Sequence, residues 1–120
     1  WQIDRGKAVF GDWVQVLGTD DTPVQSGKTH FDLHRLLITD AERADTYRIQ
    51  IGFGASGAAA LSAGDYTEVL VKFALGVSQP TPLDVQKVRH AAGKECWVRC
   101  RCASNTGTLD FMVGLHEYDE

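Results

Sequence analysis

Cys96-Trp97-Val98-Arg99-Cys100-Arg101-Cys102 and Leu109-Asp110-Phe111-Met112-Val113-Gly114-Leu115-His116-Glu117-Tyr118 are the two runs that decide the fold of this chain. Successive side chains of a strand point to opposite faces. Alternation therefore sets Cys96, Val98, Cys100 and Cys102 against Trp97, Arg99 and Arg101 in the first run, and lines Leu109, Phe111, Val113 and Leu115 along one face of the second. Ser104-Asn105-Thr106-Gly107 lies between them. Asn and Gly accept positive φ, and a loop of about four residues containing them commonly closes a hairpin. The expectation is a β-hairpin from Cys96 to Tyr118 with one apolar side. An isolated two-stranded unit is only marginally stable in water, so the rest of the chain has to supply a second sheet for that side to pack on.

Upstream, the periodicity supplies further strands. Trp1 to Val9 reads as a first strand interrupted by Gly6, and Asp12 to Leu17 as a second, with Val14 and Val16 opposing Trp13, Gln15 and Leu17; both are expected at sheet edges. Residues 18–23 and 25–28 are dense in turn formers. From Phe31 to Thr39 the alternation of Phe31, Leu33 and Leu37 is broken by Leu36 and Ile38, a pattern expected of a strand buried on both sides, with a helix as the other reading. Thr46 to Phe53 alternates cleanly and is expected at a sheet centre. Gly54 to Gly64 is small and flanked by glycine and reads as a surface loop holding at most one helical turn, across Ala58 to Ala63. Tyr66 to Val77 reads as a long strand stopped by Pro80-Thr81-Pro82, and Leu83 to Arg89 as a shorter one before the Ala91-Ala92-Gly93-Lys94 turn.

About eight strands with turn signals between them and no helix of ordinary length predict one all-β domain over residues 1–120. Its expected form is a two-sheet antiparallel sandwich, jelly-roll-like, with Greek-key sandwiches of neighbouring strand number as alternatives. A chain of 120 residues can build such a core without disulfide or metal staples. Lys and Arg number 12 against 16 Asp and Glu, a net charge of −4, which argues against nucleic acid as the main partner because phosphate binding needs a strong positive field. No apolar run approaches the ~18–20 residues of a membrane span, and no signal peptide with a basic start and an apolar core is read. Cysteines two apart on one strand face lie about 6–7 Å from one another, whereas a disulfide brings Cβ atoms to about 4 Å. Cys96, Cys100 and Cys102 are thus expected as buried thiols in a chain that folds in a reducing compartment.

The candidate chemistry is sparse. On a strand, His30 and His34 would sit about 13 Å apart, too far to share a zinc ion. The cysteines, combined with His90 or His116, lack the knuckle spacing of a zinc site. Ser56 in Gly54-Ala55-Ser56-Gly57 lacks the second glycine of a nucleophile elbow, since position 58 is Ala. Asp20-Asp21, Glu117, Asp119 and Glu120 read as solvated charges, and a calcium site over Thr19 to Thr22 has hard oxygen donors but no specifying spacing. No enzyme, no cofactor and no metal are expected. Trp97, Arg99 and Arg101, with Trp13 on another strand, form the candidate site. Such a set fits a protein interface, and packing between sheets or a sugar-binding platform are the other readings.

The stretches Tyr47-Arg48-Ile49-Gln50-Ile51-Gly52-Phe53-Gly54-Ala55-Ser56-Gly57-Ala58-Ala59-Ala60 and Leu109 to Tyr118 resemble small structural proteins encoded near the capsid genes of tailed bacteriophages. That resemblance implies a jelly-roll or other β-sandwich decoration or cement protein without enzymatic activity, made in the host cytoplasm and residing on the capsid surface of the virion. The implied partners are the major capsid protein and further copies of the chain, as a dimer or trimer. No nucleic acid or membrane partner is expected. A receptor- or carbohydrate-binding module of a fibre or baseplate is the alternative expectation.

Overall fold

A computed structural model of the chain describes residues 2–5, 10–17, 28–41, 45–73, 81–85, 90–91, 94–103 and 107–118. The described elements are β1 (Gln2–Arg5), β2 (Val14–Leu17), β3 (His30–Ala41), β4 (Thr46–Phe53), α1 (Gly57–Ala63), β5 (Tyr66–Lys72), β6 (Thr81–Asp84), β7 (His90–Ala91), β8 (Cys96–Cys102) and β9 (Gly107–Tyr118). One sheet has the order β1-β9-β3-β6, with β7 also pairing β3, and the other the order β2-β8-β4-β5. Every pairing is antiparallel. The expected all-β sandwich is what the chain forms.

The strand order has a simple origin. Pairs β4·β5, β3·β6, β2·β8 and β1·β9 are the rungs of one long hairpin whose arms run outward from the α1 region. Rolling that hairpin on itself adds the pairs β3·β9 and β4·β8 and divides the strands between two sheets. This is the jelly-roll arrangement. As expected, β4 lies inside its sheet, and β1 and β2 lie at edges.

The terminal hairpin does not form. β8 belongs to one sheet and β9 to the other, and neither pairs with its neighbour in sequence. Alternation shows which face of a strand is apolar, but not whether the next strand pairs beside it or crosses to the opposite layer. Both apolar faces were read correctly, and they meet across the core: Cys96, Val98, Cys100 and Cys102 from β8, Leu109 and Phe111 from β9. The connecting turn at 104–106 lies outside the described residues. Tyr47, Ile49, Ile51 and Phe53 of β4 complete the layer, all at 1% exposure or less. Burying each such side chain contributes about 1.5–3 kcal/mol.

The expectation of a strand buried on both sides is corrected for β3. Its pairing with β9 shifts between Leu33 and Arg35 and again between Ile38 and Asp40. A bulge places two residues opposite one and reverses the phase of the side chains beyond it. Phe31 and Leu33 before the first shift, and Leu36 and Ile38 after it, therefore all point inward, while His34 and Arg35 are exposed. β6 corrects a second expectation. It starts at Thr81 rather than Leu83, contains Pro82 and ends at Asp84; residues 86–89 of the expected Leu83 to Arg89 strand lie outside the described residues. Proline removes one ladder donor, a loss that an edge strand tolerates, and β6 is an edge.

The glycine-flanked segment is a helix rather than a loop. Ser56 caps α1, its Oγ accepting from the Ala59 N–H at 3.1 Å. Gly64 ends it at φ 72°, a left-handed conformation that glycine adopts without strain. Seven residues are too few to be stable alone. α1 is held because Ala60 is buried against Gly52 of β4, and Gly57 against the indole of Trp13. The helix thus sits on the outer face of the β2-β8-β4-β5 sheet, where the candidate site lies. Among the described residues no helix is long and apolar enough to cross a membrane.

Candidate interaction face

The register of the β2-β8-β4-β5 sheet orders its outward side chains in rows. Gln15 of β2, Trp97 of β8, Gly52 of β4 and Tyr66 of β5 form one; Arg99, Gln50 and Glu68 form the next; Arg101, Arg48 and Leu70 form the third. Ahead of β2, the Gly11 N–H donates to the Cys100 carbonyl at 3.1 Å, which lays residues 10–13 along the face. The structure brings together all four residues expected from sequence, Trp13, Trp97, Arg99 and Arg101.

Their environments differ. The Trp97 Nε1–H donates to the Gly54 carbonyl at 2.9 Å, tying β8 to the segment entering α1. The Trp13 indole lies so close over Gly57 that a Cβ there would sit 2.0 Å from Cδ2. The Arg99 guanidinium carbon lies 4.3 Å from the Phe10 ring centroid and 4.4 Å from that of Trp13. Its Nε–H donates to Gln50 Oε1 at 2.8 Å; Gln50 Nε2 in turn donates to Glu68 Oε1 at 2.9 Å, and Glu68 Oε2 stands 3.5 Å from Arg48 Nε. Burial lowers the Arg99 pKa from its ordinary value, and the charge of Glu68 opposes that shift. The Arg101 guanidinium carbon lies 5.2 Å from the Phe10 ring centroid, and its side chain makes no hydrogen bond or ion pair to any described residue.

A pocket of about 280 Å³ opens at the third row, lined by Thr46, Arg48, Leu70, Arg101 and Ala103. Leu70 is 60% exposed there. Phe10, Arg48, Gln50 and Glu68 were not expected at the site. The alternation of β4 and β5 does place Arg48, Gln50 and Glu68 opposite their core faces, but only the register shows that they adjoin Arg99 and Arg101.

Other candidates lie elsewhere. All three cysteines face the core as buried thiols, and burial pushes Cys96 from 9.0 up to about 12. His90 is stacked on Phe53, with ring centroids 4.1 Å apart. Ser56 is committed to capping α1. On the outer face of the other sheet, the Tyr118 hydroxyl donates to Asp32 Oδ2 at 2.6 Å and lies 3.2 Å from His116 Nδ1. Asp32 is 7% exposed, and the His34 ring stands 6.3 Å from that of His116. This cluster was not expected, because bringing Asp32 opposite His116 depends on the β3·β9 register. Among the described residues, no three His, Cys, Asp or Glu side chains are grouped to hold a metal ion. The Thr19 to Thr22 segment, Asp119 and Glu120 lie outside the described residues.

Comparison with family models, with curated proteins and with solved structures found no match to this chain.

Proposed function

We propose that the protein is a virion structural protein of the capsid decoration or cement type, docking on the capsid lattice and on its own copies through the outer face of the β2-β8-β4-β5 sheet. The observation that carries the reading is a surface rich in Trp and Arg that the protein's own contacts hold in shape, with Arg101 and Leu70 left available beside a pocket. Trp and Arg are the residues in which interface binding energy concentrates. A face already ordered by Trp97–Gly54 and Arg99–Gln50 hydrogen bonds loses little side-chain entropy on docking. On a repeating lattice, even a modest contact per copy stabilises the shell through multivalency. The sequence resemblance to capsid-associated proteins supports the same assignment.

The test is co-sedimentation of the purified protein with tailed-phage capsids, alongside its solution mass and a glycan array. Wild-type protein is expected to sediment with capsids and to be a dimer or trimer. Trp97→Ala, which removes a large half-buried ring from this face, is expected to reduce capsid binding by at least about 2 kcal/mol while the monomer stays folded. Glycan binding without capsid binding would replace this reading with that of a receptor-binding module.

A further inference from the structure

We propose that the pocket between Arg48 and Arg101 is a carboxylate subsite that receives an acidic side chain of the protein partner; the inference rests on the outer face of this sheet being the docking face. Arg48 and Arg101 are register partners on adjacent strands. Like charges directly opposite each other destabilise a sheet, so this placement calls for an anion. Across the second and third rows, three guanidinium groups, those of Arg48, Arg99 and Arg101, face the single carboxylate of Glu68. Glu68 is engaged with Gln50 and Arg48, and Arg99 with Gln50, Phe10 and Trp13. Arg101 is left with an aromatic face and no carboxylate among the described residues.

The pocket wall adds specificity. A guanidinium offers N–H donors in a planar fork that matches a carboxylate, and two such forks on neighbouring strands can hold both of its oxygens. Thr46 and Ala103 line the same pocket, and Leu70 supplies an apolar surface for the methylene stem of an acidic side chain. At about 280 Å³ the volume is at the small end of ligand sites, which run from about 300 Å³ upward. It has room for one acidic side chain. The charge of the whole chain, −4, disfavours a polyanionic partner, whose many phosphates would meet that net field.

The experiment titrates the intact protein with the peptide Ac-Leu-Glu-Leu-NH2, its Gln counterpart and inorganic phosphate, reading the arginine Nε–H signals by NMR. The acidic peptide is expected to shift Arg48 and Arg101 saturably, with a dissociation constant on the order of 1 mM. The Gln peptide and phosphate should bind at least about tenfold more weakly, and Arg101→Lys, which keeps the charge but loses the fork, should weaken the acidic peptide by about tenfold. Equal shifts by the Gln peptide or by phosphate, or no saturable shift up to about 10 mM of the acidic peptide, would overturn the proposal. Far-UV circular dichroism confirms that Arg101→Lys is folded. Capsid co-sedimentation separates the two readings. If the acidic peptide binds and capsids do not, the docking assignment fails while the subsite stands. If capsids bind wild type and an Arg48→Gln, Arg101→Gln double variant equally, the docking assignment stands and the subsite fails.

Discussion

Replacing Gly57 with alanine tests the arrangement that roofs the interaction face. A Cβ on Gly57 would lie 2.0, 2.2 and 2.3 Å from Cδ2, Cγ and Cε2 of Trp13. These atoms belong to the root and fused edge of the indole, so the whole ring must leave. Overpacking of this kind costs about 1–3 kcal/mol. The intrinsic preference of a helix for Ala over Gly returns at most about 1 kcal/mol, and Gly57 is only the first helical residue. Gly57→Ala should therefore lose about 1–2 kcal/mol in urea denaturation followed by far-UV circular dichroism. A double-mutant cycle isolates the cause. Trp13→Ala alone should also destabilise, by about 2 kcal/mol, since the ring is half-buried and a fully buried Trp costs about 3–5. Once Trp13 is gone, however, Gly57→Ala should be neutral or slightly stabilising. The expected coupling is about 1–3 kcal/mol, well outside the ~0.5 kcal/mol within which independent sites add. Additive costs, or a Gly57→Ala protein as stable as wild type, would refute the packing of Trp13 on α1 and with it the platform beneath Arg99.

Cys96 makes stability fall at high pH. Its thiol titrates at about 12 in the folded chain against 9.0 ordinarily, so the folded state holds a proton that the unfolded state releases; the contribution is fully present below pH 9.0 and is lost as pH rises towards about 12. Urea midpoints measured from pH 8 to 11 on wild type and Cys96→Ala should diverge in slope above about pH 9, and parallel profiles would remove burial of this thiol as the cause. The three thiols should resist maleimide in the folded protein and all react in denaturant; fewer than three reacting would contradict their placement in the core. Tyr118→Phe removes the donor to Asp32, a carboxylate 7% exposed. It should cost about 1–3 kcal/mol in urea denaturation, and an unchanged midpoint would show that the hydrogen bond contributes nothing.

The parts of the fold that were legible from sequence are those set by local periodicity. The burial of Cys96, Val98, Cys100 and Cys102, and the central place of Thr46–Phe53, follow from period-two alternation alone. What was misread depends on information between strands. β8 and β9 look like a hairpin because each has one apolar face, yet a sandwich satisfies those faces equally well by placing them in opposite layers. The off-phase Leu36 and Ile38 of β3 are explained by bulges, whose positions are set by pairing with β9. α1 carries both its start signal, Ser56, and its stop signal, Gly64, but its stability comes from packing on Gly52 and on Trp13, the latter more than 40 residues away in sequence. At the site, alternation grouped Trp97, Arg99 and Arg101 on one face; the addition of Arg48 and Gln50 needed the β4·β8 register, and that of Glu68 the β4·β5 register.

That register also separates two arginines that look equivalent in sequence. Arg99 and Arg101 share a strand face, and both lie over Phe10. Arg99, however, completes an internal chain: it donates to Gln50, whose side chain is 7% exposed and whose amide donates to Glu68. Deleting the Arg99 guanidinium leaves the buried Gln50 carbonyl oxygen without its donor, which costs about 1–3 kcal/mol, and removes the cation from between Phe10 and Trp13. Arg101 has no such partner within the described residues and opens on the pocket. Arg99→Ala should therefore lower the urea midpoint and weaken the proposed capsid docking together, whereas Arg101→Ala should leave stability within about 0.5 kcal/mol of wild type and affect the proposed docking alone. The comparison requires both variants in both assays. If Arg101→Ala destabilises as much as Arg99→Ala, Arg101 is part of the internal network, and the polar and apolar side chains that the pocket offers a partner reduce to Arg48 and Leu70.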